Sequence, residues 1–494
     1  MKTKAESELA RRDFIKMAGL VGAGLMTTSG LGKAAEMMNM PVAPSPAQAK
    51  SEADVTLRIG PVLVELDKEH TLSTIGYNGQ VPGPVIRLKE DKAVTVDLFN
   101  DTDTPEFVHW HGQVIPSDVD GAMEEKSLVV PAHGHLRYQL TPRPAGTRWV
   151  HSHVVSGPDL YRGTYSGQFG FVIIEPKTNS GQYDQEVLLA THEWEPYFSS
   201  GEMETGELKA EDSDLKEEAE KAEKALGKPN GWEVGYRLFS INGKSRGYGE
   251  PVRVHEGQRV LFRILNASAT ENIELALPSH KFRVIALDGN PVPRPQSVNV
   301  LRLGTGERVD AIVEMNHPGV WVLGTPMDED REHGFGIVVE YANKTGKPQW
   351  HAPGKADWNY LLFGEAKPLP APDRVIPMEF GKINGGKGGF NKWSVNGKAF
   401  EESEPITLEK GLRYRLAFAN KTDDAHPVHL HRHSFELVKI HGQATSGIIK
   451  DVVLMNPFSR VEADFVADNP GLTLFHCHQN LHMDYGFMSL FQYA

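Results

Sequence analysis

The sequence predicts an all-β chain of three β-sandwich domains, with a short helical insertion in the second. Three observations carry that expectation. The chain has 494 residues, about three times an ordinary domain. Its 48 glycines and 32 prolines favour turn-rich β structure over helix. One pattern, an Asn-Gly pair, a proline, an alternating apolar strand and a closing asparagine, recurs three times.

Taken in order, residues 1–49 read as a twin-arginine signal and leader. Arg11 and Arg12 precede the apolar run MAGLVGAGLMTTSG, and Ala47-Gln48-Ala49 offers a cleavage site. The run is short for a bilayer crossing, so the protein is expected to be exported by the twin-arginine machinery to the periplasm or beyond and not to span a membrane. The first domain, 53–177, holds YNGQVPGPVIRLKEDKAVTVDLFNDTDTPEFVHWHG. The second, 184–342, holds INGKSRGYGEPVRVHEGQRVLFRILNASATENIELAL, and the third, 375–494, holds VNGKAFEESEPITLEKGLRYRLAFANKTDDAHPVHLHRH. Short alternating runs between turn residues argue for sandwich strands. Linkers fall at 178–184 and 343–374. Residues 205–226 read instead as a helix ended by Gly227 and Pro229, with Leu208, Leu215, Ala219, Ala222 and Leu226 in a narrow stripe and Glu217–Lys221 and Glu220–Lys224 as i,i+4 pairs. A solvated surface helix is expected there, with a lid beside a substrate site as the alternative.

The net charge of −13 argues against nucleic acid or an anionic membrane as partner. Cys477 is the single cysteine. In an exported chain it has no intramolecular disulfide partner, and its neighbours point to metal ligation.

Aligned on Asn100, Asn266 and Asn420, the repeats place His109 and His111 on His429 and His431, and His151 and His153 on His476 and His478; the middle copy has Leu275, Leu277, Gly324 and Pro326 there. The middle domain is therefore a spacer or wall. Residues two apart on a strand face one side, so each His-x-His pair can aim both imidazoles at one point. Eight imidazoles exceed the four ligands of one zinc and suit several imidazole-binding ions. Cys477, between His476 and His478, then faces the other way, toward His426 and His482. Two imidazoles and a thiolate make a trigonal blue-copper site. His433 is expected to lie behind the cluster, and His133 and His135, in a Gly-containing turn, to stay outside it. Trp110 and Trp149 are expected to pack beside the ligands.

With HWH, HSH, HLH and HCH in this order and His482 last, the chain resembles three-domain multicopper oxidases of the laccase and bacterial copper-efflux-oxidase type over nearly all its length after the signal. The resemblance implies three cupredoxin-like Greek-key domains and four copper ions. His426, Cys477 and His482 would hold type 1 copper, and His109 and His429 type 2 copper. His111, His151, His153, His431, His476 and His478 would hold the type 3 pair. It implies four one-electron oxidations at type 1, with Cys477 as conduit, and reduction of O2 to two waters, assisted by the acid Asp120.

The chain departs from the family pattern near the type 1 site. Phe487 stands where metal-oxidising members carry an axial methionine, and Met488 points away unless the strand slips by one residue. Without a thioether a higher potential is expected, which suits laccase-like oxidation of phenols and other aromatics. Met483 replaces an acid, and Arg432 a frequent glycine. The alternative is a metallo-oxidase acting on Cu(I), Fe(II) or Mn(II), its cations bound by the insertion or by surface acids such as Asp451. A non-enzymatic scaffold of the same fold is the third reading. One chain supplies every ligand, so a monomer is expected.

Overall fold

Each repeat folds into a pair of sheets, with four strands in each sheet of the first domain and six and five in each of the others. The computed structural model describes residues 52–177, 182–199, 211–386 and 388–494. The expected twin-arginine signal and the first part of the predicted insertion lie outside these. Among the described residues no helix is long and apolar enough to cross a membrane.

The repeats share one connectivity. The opening strand of each domain lies parallel to the strand of the alternating run: Val55–Glu65 beside Val94–Asn100, Gln185–Trp194 beside Arg259–Asn266, and Arg374–Ile383 beside Arg413–Asn420. The second sheet repeats the device, with Ile86–Lys89, Val252–Val254 and Ile406–Leu408 each parallel to the last strand of its domain. The aligned residues explain the likeness. Asn78-Gly79, Asn242-Gly243 and Asn396-Gly397 all take positive φ at both positions, as tight primed hairpin turns require. Asn100, Asn266 and Asn420 are buried, and each donates to two backbone carbonyls: Thr104 and Val130, Glu271 and Leu303, Asp424 and Asn456. The same amide oxygen accepts the N–H two residues on in every copy. The asparagine thus fixes the loop that launches the next strand, which in the outer domains carries the first histidine pair.

The insertion differs from expectation. The helix spans Ser213–Leu226 and starts after Asp212, whose carboxylate accepts the N–H groups of Asp214 and Leu215. Nor is it merely solvated. Leu215 is fully buried, and the helix end docks on the third domain through Asp212–Arg460 at 2.7 Å, Glu218–Lys421 at 3.1 Å and Glu211–His441 at 2.6 Å. One apolar core runs continuously through the second and third domains, whereas most of the first has its own.

Candidate metal centre

The four histidine pairs sit on two short ladders. Val108–His111 pairs antiparallel with Gly146–Ser152, placing His109 opposite His151, and His426–Leu430 pairs with Thr473–Cys477, placing His429 opposite His476. The middle domain departs from the alignment here, because its ladder sets Ala276, not Leu275, against Gly324. All eight imidazoles are buried and converge. Their nitrogens gather as three sets within 4.8 Å: His109, His111 and His429; His111, His151 and His478; His153, His431 and His476.

Backbone carbonyls aim the rings. The Nδ1 of His109 bonds the Asp120 carbonyl at 2.9 Å, that of His429 the Asp451 carbonyl at 2.7 Å, that of His151 the Ser152 carbonyl at 2.9 Å, and that of His476 the Cys477 carbonyl at 2.8 Å. A ring that donates from Nδ1 presents Nε2 as a lone pair. The Nε2 atoms of His109, His429 and His478 are buried with no hydrogen-bond partner. Burial depresses the imidazole pKa values, that of His153 to about 3 with help from His109, and those of His111, His151, His429, His431, His476 and His478 well below the usual value. Neutral, clustered, carbonyl-anchored imidazoles fit copper ions, which imidazole donors hold tightly.

Carboxylates back the cluster. Asp120 is fully buried, with Oδ2 2.8 Å from His431 Nδ1 and 3.2 Å from His109 Nδ1. It is also the turn residue before Gly121, whose φ is 94° and where a Cβ would lie 2.0 Å from the Val108 carbonyl oxygen. Asp451 is no surface acid, as its sequence context had suggested. It is fully buried, 3.0 Å from His111 Nε2, and Arg308 of the middle domain grips it with two bonds of 2.6 Å. The middle domain also supplies Gly306, where a Cβ would stand 2.8 Å from the His478 ring. Glu125 is 3.6 Å from His431 Nδ1 and accepts the Leu474 N–H; burial and the charge of Asp120 raise its pKa well above the carboxylate range.

Cys477 faces the opposite way. Its Sγ lies 3.7 Å from Nδ1 of both His426 and His482, which are 3.2 Å apart. The outer nitrogens are engaged: His426 Nε2 with the Thr422 hydroxyl at 2.7 Å, and His482 Nε2 near the Glu233 carboxylate at 3.7 Å. Trp393 packs on His482 with ring centroids 3.8 Å apart, and Phe487 on His426 at 4.9 Å. Burial pushes the thiol pKa up and pulls that of His482 down to about 3. A metal ion that binds here must displace the thiol proton, and the two-nitrogen, one-sulfur set suits copper. Met488 pairs with His476 and packs with Ala122, Leu474 and Met483 on the imidazole side of the strand. Phe487, not Met488, therefore lies beside the sulfur.

The structure brings together His109, His111, His151, His153, His429, His431, His476 and His478 with Asp120, and separately His426, Cys477 and His482. His433 stays behind the cluster, bonding the His431 carbonyl and the Tyr493 hydroxyl, while His133 and His135 pair with Asp103 and Asp97. Trp149 stacks on His151 at 4.1 Å, whereas Trp110 donates to Tyr138 in the core. Arg432 holds φ 57° and binds the Ile115, Leu472, Asn469 and Pro470 carbonyls and the Thr473 hydroxyl. It clamps the last ligand strand to the first domain, a task glycine has no side chain to perform. Sequence reasoning missed Glu125, Arg308 and Glu233, which belong to no spacing pattern.

Three family models, each described as multicopper oxidase, match residues 59–179, 212–341 and 377–494. Multicopper oxidase MmcO of Mycobacterium tuberculosis is 28% identical, over 90% of this chain and 88% of its own length. Bilirubin oxidase of Albifimbria verrucaria is 24% identical over 84% of this chain and 72% of its own. Among solved structures, Fet3p, a multicopper oxidase that functions in iron import, superposes with a TM-score of 0.71 at 19% identity, covering 89% of this chain and 90% of its own. The laccase of Botrytis aclada superposes with a TM-score of 0.68 at 20% identity, covering 92% and 89%. These likenesses agree with the all-β fold expected from the repeats and with the cupredoxin-like domains that the family resemblance implies.

Proposed function

The chain belongs to the multicopper oxidase family and is a copper oxidoreductase that uses O2, and from that premise we propose that it is an exported, monomeric, laccase-like oxidase of phenols and other reducing aromatics. His426, Cys477 and His482 would hold type 1 copper. His109 and His429 would hold type 2 copper, and His111, His151 and His478 with His153, His431 and His476 the type 3 pair. Bound copper supplies one-electron chemistry, passing four electrons from the reductant to O2, which takes up four protons and leaves as two waters.

The chain's own residues do the rest. The peptide links from Cys477 to His476 and His478 join the two sides of one strand, the shortest covalent route between the centres. Asp120 would accept the Nδ1–H of His431, 2.8 Å away, and so stand as a proton relay where water formation consumes protons. Trp393, Phe487 and the surrounding core keep water from the sulfur. The single observation that carries the reading is the opposed geometry of Cys477 and its two histidine neighbours.

Phe487 beside the sulfur, with no thioether in reach from Met488, favours a high potential and aromatic donors. Aromatic rings near the site, Phe390 stacked on Tyr485 at 4.2 Å and Phe198 packed at 5.1 Å from Phe390, suit the same substrates. A second reading, oxidation of Cu(I), Fe(II) or Mn(II), is favoured by the carboxylate at His482. The test is one copper-loaded preparation assayed for copper content, oxygen uptake and steady-state rates with a phenol and with Fe(II) or Cu(I). About four coppers per chain and a faster phenol reaction are expected. Fewer than two coppers with no oxygen uptake would leave the non-enzymatic scaffold.

A further inference from the structure

We infer that the first domain holds a site for a hard divalent cation of the calcium or manganese kind, at the place that Cys477 and its partners occupy in the third. The equivalence is read from the strands. Ser152 stands between His151 and His153 as Cys477 stands between His476 and His478, and each lies opposite a valine, Val108 or Val428. The Ser152 N–H donates to the Gln168 carbonyl at 3.1 Å, and the Cys477 N–H to the Phe487 carbonyl at 3.1 Å. Aligned on Asn100 and Asn420, Glu106 falls on His426. The positions of His426, Cys477 and Phe487 thus carry Glu106, Ser152 and Gln168.

These residues make a pocket of oxygen atoms. The Ser152 hydroxyl donates to Glu106 Oε2 at 3.2 Å, the counterpart of the 3.7 Å approach of Cys477 to His426. Ser152 is fully buried, Glu106 is 2% exposed and Gln168 1%. Gln168 spends its Nε2 on the Ser166 hydroxyl at 3.2 Å, and its Oε1 is buried with no hydrogen-bond partner. The Tyr77 hydroxyl and that of Thr164, on the turn leading to Gln168, are buried and unpartnered as well. Burial and the charge of Glu106 push the Tyr77 phenol well above its usual pKa, which marks the two as neighbours. Arg162 acts on Glu106 through its charge, while its own Nη2 bonds the Pro105 carbonyl at 3.4 Å. Burial outweighs that pull and lifts the Glu106 carboxyl to about 7.

The donor set decides the ligand. Thiolate and imidazole select copper, whereas carboxylate, amide and hydroxyl oxygens suit calcium, magnesium or manganese. A buried carboxylate that makes no ion pair among the described residues is costly, and a bound cation offsets that cost. Calcium tolerates irregular sets of oxygen ligands, and with one carboxylate among them the affinity should be low, Kd on the order of 10⁻⁴ to 10⁻³ M. Held there, the cation grips Ser152 and steadies the strand that aims His151 and His153. No bond breaks and no electron moves.

The experiment uses the copper-loaded protein, dialysed free of calcium, with its copper content measured afterwards. Titration calorimetry follows Ca²⁺, and electron paramagnetic resonance follows Mn²⁺. One saturable class of about one ion per chain is expected, weakened about tenfold or more in Glu106→Gln and in Gln168→Leu. Tyr77→Phe, which removes only an oxygen, takes the place of either variant that fails to fold. Ca²⁺ should also raise the melting midpoint of the wild type and not that of Glu106→Gln, while the blue band stays alike in both. Absence of saturable binding overturns the proposal. So does equal binding in wild type and variants, which places the ion on surface acids only. Saturable binding in a protein with no blue band leaves this site standing and overturns the type 1 reading instead.

Discussion

The two faces of the strand Thr473–Cys477 are built by opposite means. On one face His476 joins seven other imidazoles, each buried, several anchored by a main-chain carbonyl and backed by Asp120, Glu125 and Asp451. On the other, Cys477 lies among aromatic rings of a single domain, with Trp393 and Phe487 against its two histidines. The polar face needs three domains. The first and third give ladders, and the middle one, whose own ladder carries Ala276 and Gly324, gives Arg308 to Asp451 and a glycine against His478. A domain without ligands is thus part of the site, through counter-charge and close approach.

The strongest way to break the contrast is Cys477→Ser. It should abolish the intense blue absorbance altogether and stop oxygen uptake, while copper content falls by about one ion in four; metal analysis with visible spectroscopy checks both. A colour that survives would mean the sulfur is not a ligand. On the other face, Asp120→Asn should lower turnover about a hundredfold, with Asp120→Glu recovering part of it. Anaerobic bleaching of the blue band should keep its rate, because that step lies across the strand. Loss of bleaching as well would erase the distinction between the faces.

Acid should expose what burial does to both. In the copper-free protein His153 and His482 are held near about 3, against about 6.5 in an unfolded chain. Between those values the unfolded chain binds protons that the native state does not. The stability these groups contribute is therefore complete above about 6.5 and is lost as pH falls toward 3, by about 1.4 kcal/mol per pH unit for each imidazole. Thermal melting of copper-free protein from pH 7 to pH 5 should show a falling midpoint; a flat profile contradicts the buried neutral state.

The smallest effect sharpens the contrast best. Phe487→Met offers a thioether beside the sulfur and should lower the type 1 potential. Met488→Leu changes a side chain packed with Ala122, Leu474 and Met483 and should leave that potential unmoved. Redox titration of the blue band compares the two, and equal shifts would show that the faces are not separated.

Much of this was legible in the sequence because it is periodic. Alternation of side chains every second residue predicts that His476 and His478 leave a strand on one side and Cys477 on the other, and the structure agrees. The repeated asparagines predict the ladders' common starting point. The insertion was less legible, because its stripe of leucine and alanine does not say what the helix meets; Asp212, Glu218 and Glu211 pair with Arg460, Lys421 and His441 of the third domain. Asp451 read as a surface acid for a similar reason, since the partner that makes its burial tolerable, Arg308, lies 143 residues away.

The sequence by itself determined the three-fold repeat, the β architecture and the facing of the histidine pairs and of Cys477, since all of these follow from local turn chemistry and a two-residue period. Only the tertiary structure decided which histidines share a point, which carboxylates stand behind them, and that Glu233 of the middle domain meets His482 of the third. Those outcomes depend on how domains pack, and packing brings together charges and lone pairs that no spacing along the chain connects.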